Sequence, residues 1–446
     1  MHLRIWIQRR FLDSESTHEK RVSDIRNRVL DWGREPLEGR RPLCTARPNW
    51  LSLSTTFFDK TKCHQIPIDL HEILHFDEKN LTLWAEPNVT VREVVEYLVP
   101  RGYTLAVCLE VGDATLGGLA FGVGMTTYSH KVGLYQETIS EYEVLKVVPA
   151  KHYVHLKYTT QLLRVSGAMD KDEKVADFVE ATIFSKEKAV LMTGNFADKK
   201  DHPNVKVNDV CLWYKPWFYK HVESMLDSRS SVHEELVPLE SYLLRHNRAI
   251  FWVLESMIPF GNHPLFRLLF GWLCPPKPAF LKFTTTPLIR EWTFAKQVFQ
   301  DIVLPLDTLK EQVEEATRLF DRWPLLVYPC RIYDHNRGPQ GQLRAPPSNK
   351  LTPGTNFAMF NDLGVYGTPG QLEKKLPFTR KVGGYSFLYA DIFMKEEEFE
   401  QMFDLSLYNK VRQQYHCDGA FPTLYEKVRP EVDVIAIGNE YAKKSN

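Results

Sequence analysis

The residues whose type and spacing bear most directly on chemistry lie in Asp113–Leu134, DATLGGLAFGVGMTTYSHKVGL. There Gly117, Gly118, Gly122 and Gly124 fall within eight positions, in a chain with 23 glycines among 446 residues. Backbone without Cβ atoms comes close to a ligand and reaches positive φ, so successive N–H groups can converge on an anion such as a pyrophosphate. The spacing is not the G-x-G-x-x-G of a Rossmann turn, and no G-x-x-x-x-G-K-[ST] occurs, so neither a nicotinamide fold nor a P-loop is supported. On pattern alone, a tight turn between strand and helix explains the same glycines equally well.

The elements that must position this segment are legible upstream. Leu81 to Ala85 reads as a strand, Pro87-Asn88 as a turn, and Thr90 with Glu93 as a capping box for a helix through Leu98, closed by Gly102. Tyr103 to Cys108 returns as a strand, and this β-α-β alternation predicts an α/β or α+β domain. Residues 17–34, apolar at Val22, Ile25, Val29 and Trp32, predict a one-faced helical arm; Arg40–Ser54 predicts a loop entering a strand around Leu51–Ser54.

Further on, Phe178–Phe184 and Ala189–Thr193 predict paired strands about the turn Ser185–Lys188. Thr308 and Glu311 predict the cap of a helix apolar at Leu309, Val313, Ala316, Leu319 and Phe320, followed by a strand over Leu325–Tyr333. Residues 334–354 predict a long polar loop, a lid or unstructured. Strands near Phe357–Val365 and over Tyr385–Phe393 and a helix over Lys395–Phe403 complete the series.

Composition narrows the function. Fifty-six Lys and Arg balance 56 Asp and Glu, so no overall field attracts nucleic acid, and a lipid surface would have to meet a local patch. The seven cysteines are scattered, with no C-x-x-C pair to hold zinc, and read as reduced thiols in a chain facing the cytosol. Every apolar run is interrupted by charges or prolines, which predicts no transmembrane segment. The segment 249–283, AIFWVLESMIPFGNHPLFRLLFGWLCPPKPAFLKF, is the densest in large apolar residues; it predicts either two short core helices or a peripheral membrane or lipid-pocket contact.

The stretch TLGGLAFGVGMTTYSHKVGL resembles the FAD pyrophosphate loop of the Δ24-sterol reductase family. CTARPNWLSLS from Cys44, AEPNVTVREVVEYLVPRGYTLAV from Ala85, WYKPWFYKHVE from Trp213, FGNHPLFRLLFGWLCPPK from Phe260 and LYADIFMKEEEFEQMFDLSLYNKVR from Leu388 resemble the same family, so the likeness runs through most of the chain. It implies an α+β chain in three parts. Residues 1–40 form a helical arm and 41–150 a FAD-binding domain of the two-subdomain vanillyl-alcohol oxidase type. Residues 151–446 form a cap or substrate domain whose C-terminal part returns to the flavin.

In the family, the strand matching Tyr142–Leu145 leads into a turn, a helix and a second Gly-containing strand. Here Leu145 runs directly into Lys146–Lys151, which implies a FAD domain lacking its second part. The family's N-terminal membrane helix is likewise replaced by MHLRIWIQRRFLDSES.

By resemblance, Thr115, Leu116, Gly117, Gly118, Leu119, Ala120, Phe121, Gly122, Val123, Gly124, Met125, Thr126 and Thr127 would wrap the FAD diphosphate, with Ser129, His130 and Gly133 continuing along the flavin. His130 reads either as a flavin contact or attachment point, or as a hydrogen-bonded loop histidine. Arg47 reads as a phosphate contact or an exposed loop residue; Trp213, Trp217 and Tyr219 read as sterol pocket or as core. Tyr389 and Asp391, alternate residues on one expected strand, would face the flavin as catalytic groups. The implied activity is NADPH-driven reduction of the C24–C25 double bond of a sterol side chain at the cytoplasmic face of the endoplasmic reticulum. The alternative is a FAD-deficient, non-catalytic binding protein.

Overall fold

The protein is described by a computed structural model over residues 14–48, 51, 58–141, 143–161, 175–273, 298–335, 343–367, 384–389, 392 and 394–429. Val91–Leu98 is helical as its ends dictate. The Thr90 hydroxyl accepts from the Glu93 N–H at 3.3 Å while the Glu93 carboxylate accepts from the Thr90 N–H at 2.8 Å. Val91, Val94, Val95 and Leu98, at i, i+3, i+4 and i+7, are buried. A short 3-10 turn then ends at Gly102, whose φ of 82° suits glycine.

The flanking strands Thr82–Ala85 and Tyr103–Leu105 lie on either side of Val144–Pro149, antiparallel to it. The helix thus crosses over a strand that enters from later in the chain. The second strand stops at Leu105 rather than running to Cys108, and Ala106 to Cys108 turn into a buried loop. Ile73–Asp77 and Ile139–Glu141 complete this five-stranded sheet, and the two-stranded pair Leu43–Thr45 and His64–Ile66 stands apart from it.

The second sheet has eight antiparallel strands. They run in the order Val232–Pro238, Tyr153–Gln161, Ala189–Ala197, Phe178–Ile183, Leu325–Tyr333, Phe357–Gly367, Val298–Pro305 and Tyr385–Ser386. The turn at Ser185–Lys188 sets the expected hairpin, with Ile183 opposite Ala189. The two sheets share a core, in which Leu83, Leu98 and Val147 pack in one cluster with Leu156, Phe178 and Tyr242. The fold is α+β. No helix among the described residues is long and apolar enough to cross a membrane.

Two further expectations need correction, and two lie wholly or partly outside the described residues. Leu309–Phe320 is helical, but Thr308 does not cap it. Thr308 ends a 3-10 turn with φ −103° and ψ 14°, not the extended conformation an N-cap requires, and its hydroxyl donates to the Pro305 carbonyl at 2.8 Å. The strand from Tyr385 spans only Tyr385–Ser386, after which Leu388 and Tyr389 turn, so alternation along a strand does not orient Tyr389. Asp391 lies outside the described residues, as do residues 52–54 of the strand expected at Leu51–Ser54.

The expected arm is the helix Ser14–Gly33. Arg21 fixes it to the first sheet, 2.6 Å from the fully buried Glu86 carboxylate and 3.5 Å from Glu72. In the 334–354 loop, Arg344 donates to the Glu400, Gln401 and Phe403 carbonyls, pinning the loop to the end of the helix Glu396–Met402.

Candidate cofactor site

The Gly-rich segment opens as a short helix, Leu116–Gly122, whose N-cap Thr115 accepts from the Gly118 N–H at 3.3 Å. Its start is sewn to the turn before Val91: the Leu116 N–H donates to the Val89 carbonyl and the Gly117 N–H to the Pro87 carbonyl. Gly117 serves this close approach, since a Cβ there would stand 2.7 Å from the Pro87 Cβ. A Cβ on Gly124 would stand a tight 3.3 Å from Tyr135 Cβ, whereas one on Gly122 would stand at an ordinary 3.6 Å from Tyr389 Cβ.

The helix ends abruptly. Val123 sits at φ 64°, ψ 138°, a conformation that costs a β-branched residue on the order of 1–3 kcal/mol. The Gln136 side-chain amide, 3.1 Å from both the Leu119 and Ala120 carbonyls, takes the acceptors that the next N–H groups would ordinarily use. The N–H groups of Val123 and Gly124, and beyond the helix those of Met125 and Thr127, find no partner among the described residues, although all four residues are buried. Buried donors left unpaired beside a strained residue are ingredients of an anion site. The glycine pattern locates this segment; the unpaired donors lie after the helix, not at its start.

From Thr126 onward the segment is anchored to the second sheet. Thr126 and Ser129 exchange hydrogen bonds at 3.0 Å, the Val179 N–H donates to the Thr127 carbonyl, and the Tyr242 hydroxyl donates to Thr127 Oγ1 at 3.2 Å. His130 Nδ1 lies 3.0 Å from the Thr127 carbonyl and Nε2 2.8 Å from the Ala176 carbonyl, so both ring nitrogens face backbone oxygens. Lys131 adds an ion pair to Asp177 at 2.6 Å.

Below the loop runs a narrow cavity lined by Thr126, Thr127, Cys108, Glu110, Tyr242 and Arg245, among others. Arg245, almost fully buried, is 2.6 Å from Glu180 and 3.3 Å from Glu110, and His246 is 3.2 Å from Glu180. Burial pushes the Glu110 carboxyl up to about 7 against the pull of Arg245. In Glu180 the same burial is more than offset by Arg245 and His246, and the carboxyl stays well below its ordinary range.

The other face of the glycine helix meets a second buried acid. Asp301, on Val298–Pro305, accepts from the hydroxyls of both Tyr366 and Tyr389, and Tyr389 abuts Gly122. Burial pushes the Asp301 carboxyl up to about 7, partly countered by Tyr366. The neighbouring Asp362 is raised further by burial and by Asp301; its Oδ1 and Glu110 Oε2 have no hydrogen-bond partner among the described residues. Phe121, one residue before Gly122, is exposed.

Tyr389 therefore reaches the glycine segment, though from a turn. Asp301, Tyr366, Glu110, Glu180 and Arg245 were not singled out from sequence. The signal available for two of them is a carboxylate inside an apolar strand run, Glu180 in FVEATI and Asp301 in VFQDIVLP. Arg47 turns to the Leu51 carbonyl at 2.9 Å and to Asn88. Trp217 and Tyr219 are core, while Trp213 is exposed.

Residues 47–148 match the family model described as FAD binding domain, so the segment with the unpaired donors lies in a flavin-binding module. The Delta(24)-sterol reductase of Homo sapiens is 33% identical over 479 aligned positions, covering 96% of this chain and 89% of that protein. The Delta(24)-sterol reductase homolog of Caenorhabditis elegans is 33% identical, with 93% and 88% covered, and the Delta(24)-sterol reductase of Pisum sativum is 28% identical, with 94% and 85% covered. The chain belongs to the Delta(24)-sterol reductase family. The human alignment spans more positions, 479, than the 446 residues of this chain, so that relative carries residues opposite gaps here.

Proposed function

We propose that this protein reduces the C24–C25 double bond of a sterol side chain with FAD as the resident cofactor and NADPH as the source of electrons. The work would take place at the cytoplasmic face of the endoplasmic reticulum membrane. The observation that carries the reading is the set of buried, unpaired N–H groups at Val123, Gly124, Met125 and Thr127 beside the Tyr389–Asp301 pair. Those donors fit a diphosphate, which would satisfy them and compensate the strain at Val123. Thr115 through Ala120 would act by fixing the approach to Val123, and Ser129 and His130 by tying the loop to the second sheet. The proposal includes a domain order: an arm to residue 40, a FAD-binding part over 41–150 of the vanillyl-alcohol oxidase type and shortened after Leu145, and a cap over 151–446.

When bound, the reduced flavin supplies hydride to the substrate. An isolated alkene has no carbonyl to accept charge, so the protein must deliver a proton to C24 as positive charge develops on tertiary C25. In this reading Tyr389 makes that donation and Asp301 resupplies it: once protonated, the Asp301 carboxyl can donate to the Tyr389 oxygen and free the phenolic proton for the substrate. Asp301 is buried and Tyr389 half-buried, which limits the access of water to the cation.

The sign of the pH dependence follows. Asp301 must be in its acid form, and its carboxyl is pushed up to about 7. Turnover of a Δ24 sterol should be flat below that value and fall about tenfold per pH unit above it. Asp301→Asn should abolish this alkaline limb. If the limb survives Asp301→Asn and disappears in Asp391→Asn, the acid is Asp391.

A second reading is favoured by one observation: Val144–Pro149 runs unbroken through Leu145 and bridges Thr82–Ala85 and Tyr103–Leu105, so the sheet closes with no further segment inserted after Leu145. In that reading the chain holds no FAD and acts as a non-catalytic binding protein; a colourless purified protein would distinguish it.

A further inference from the structure

We propose that binding of the FAD diphosphate to the Val123–Thr127 segment draws one proton onto the buried carboxyl of Glu110. The coupling rests on the cofactor reading above and gives a role to an acid that the sterol chemistry leaves unused. Glu110 and Thr127 line one narrow cavity, together with Thr126, Cys108, Tyr242 and Arg245, with room for about one water. Thr127 is also among the residues whose N–H groups find no partner among the described residues. The carboxyl therefore borders the segment that would hold the anion.

The two oxygens of this carboxyl are unlike. Oε1 accepts from the Arg245 guanidinium at 3.3 Å, whereas Oε2, on a side chain that is 1% exposed, has no hydrogen-bond partner among the described residues. A proton can settle on Oε2 without displacing the Arg245 contact, and a water in the cavity would accept from it. Arg245 is one cation between two carboxylates, and it lies closer to Glu180, at 2.6 Å. Glu180 also has His246 at 3.2 Å, so of the two acids Glu110 is the one that yields to added negative charge.

Titratable groups surround the carboxyl from several elements. Arg245 favours its ionised form, and Glu180 on Phe178–Ile183 opposes it. Asp362 on Phe357–Gly367, Tyr328 on Leu325–Tyr333, Tyr242 on Leu239–Leu243 and Cys108 also feel its charge. Burial already pushes the carboxyl up to about 7. A diphosphate brings negative charge without a cation of its own, and like charge disfavours the ionised form, so an ionised Glu110 regains its proton as the anion arrives. Uptake of a proton means that FAD affinity falls as pH rises above about 7, by up to about tenfold per unit.

The test is calorimetric titration of FAD into the full chain in HEPES and in Tris, whose ionisation heats differ, so that the difference between the two binding heats counts the protons exchanged. At about pH 8 the unmodified chain should take up about one proton per FAD bound. Glu110→Gln, which keeps an oxygen for Arg245, should bind FAD with that uptake lost and with an affinity that no longer falls as pH rises. FAD binding without proton uptake by the unmodified chain overturns the coupling, as does uptake undiminished in Glu110→Gln; both leave the cofactor site standing. An unmodified chain that gives no binding heat and stays colourless overturns the cofactor reading itself, and the coupling with it.

Discussion

Replacing Arg245 with leucine is expected to lower the unfolding free energy by about 3–5 kcal/mol, a large share of the roughly 5–15 kcal/mol of a native domain. Arg245 sits between Glu180 and Glu110 with its side chain almost fully buried, and donates as well to the Tyr328 hydroxyl. Without it, Glu180 is a buried charge left with His246 alone, whose own pKa burial lowers, so the imidazole is a poor replacement cation. The urea midpoint reads this directly. Leucine at both Arg245 and Glu180 should recover much of the loss, because removing both partners leaves less uncompensated charge than removing one.

The same cluster sets the pH dependence of stability. Glu110, raised to about 7, keeps its proton in the folded protein over a range where the unfolded chain releases it. Its contribution is therefore present below the ordinary glutamate value and is lost as pH rises toward 7. Glu180, held low, contributes above the ordinary value and loses that contribution on acidification. A midpoint for Arg245→Leu equal to that of the unmodified chain would contradict this description of the core.

Tyr389→Phe is expected to cut sterol turnover by about 10²–10⁴-fold, the range for loss of a positioned acid, with FAD retention unchanged. The Tyr389 Cβ lies near Gly122 and the phenol gives its hydroxyl to Asp301, and phenylalanine keeps the first neighbour while deleting the second interaction. Asp301 keeps the Tyr366 hydroxyl, so the structural cost is limited to about 1 kcal/mol. Single-turnover oxidation of the reduced flavin by a Δ24 sterol isolates the step. A decrease smaller than tenfold would remove Tyr389 from the role of donor.

What could be read from the sequence was local. The helix Val91–Leu98 was legible because Thr90, Glu93 and Gly102 mark both its ends, and the hairpin Phe178–Ile183 with Ala189–Ala197 because its turn is polar and its strands apolar. Local signals also misled. Thr308 and Glu311 have the spacing of a cap, but a preceding 3-10 turn places Thr308 in the wrong conformation. The glycines drew the reading to this segment, yet Gly117 makes room for Pro87, and the unpaired donors arise further on, where Gln136 takes the helix carbonyls.

The remainder of the site is assembled across the chain, which no periodicity reports. Glu110 meets Arg245 across 135 positions and Asp301 meets Tyr366 across 65. The second contact depends on the register that sets Asp301 opposite Gly364, next to which Tyr366 reaches back.

The central claim is that backbone donors from Val123 to Thr127 hold the diphosphate of FAD. It is tested most directly by mixing the purified chain with excess FAD, removing free cofactor by gel filtration, and recording the visible spectrum of the protein peak. The account predicts a yellow protein carrying about one flavin per chain. A colourless peak would contradict it and leave the chain as a family member without the cofactor.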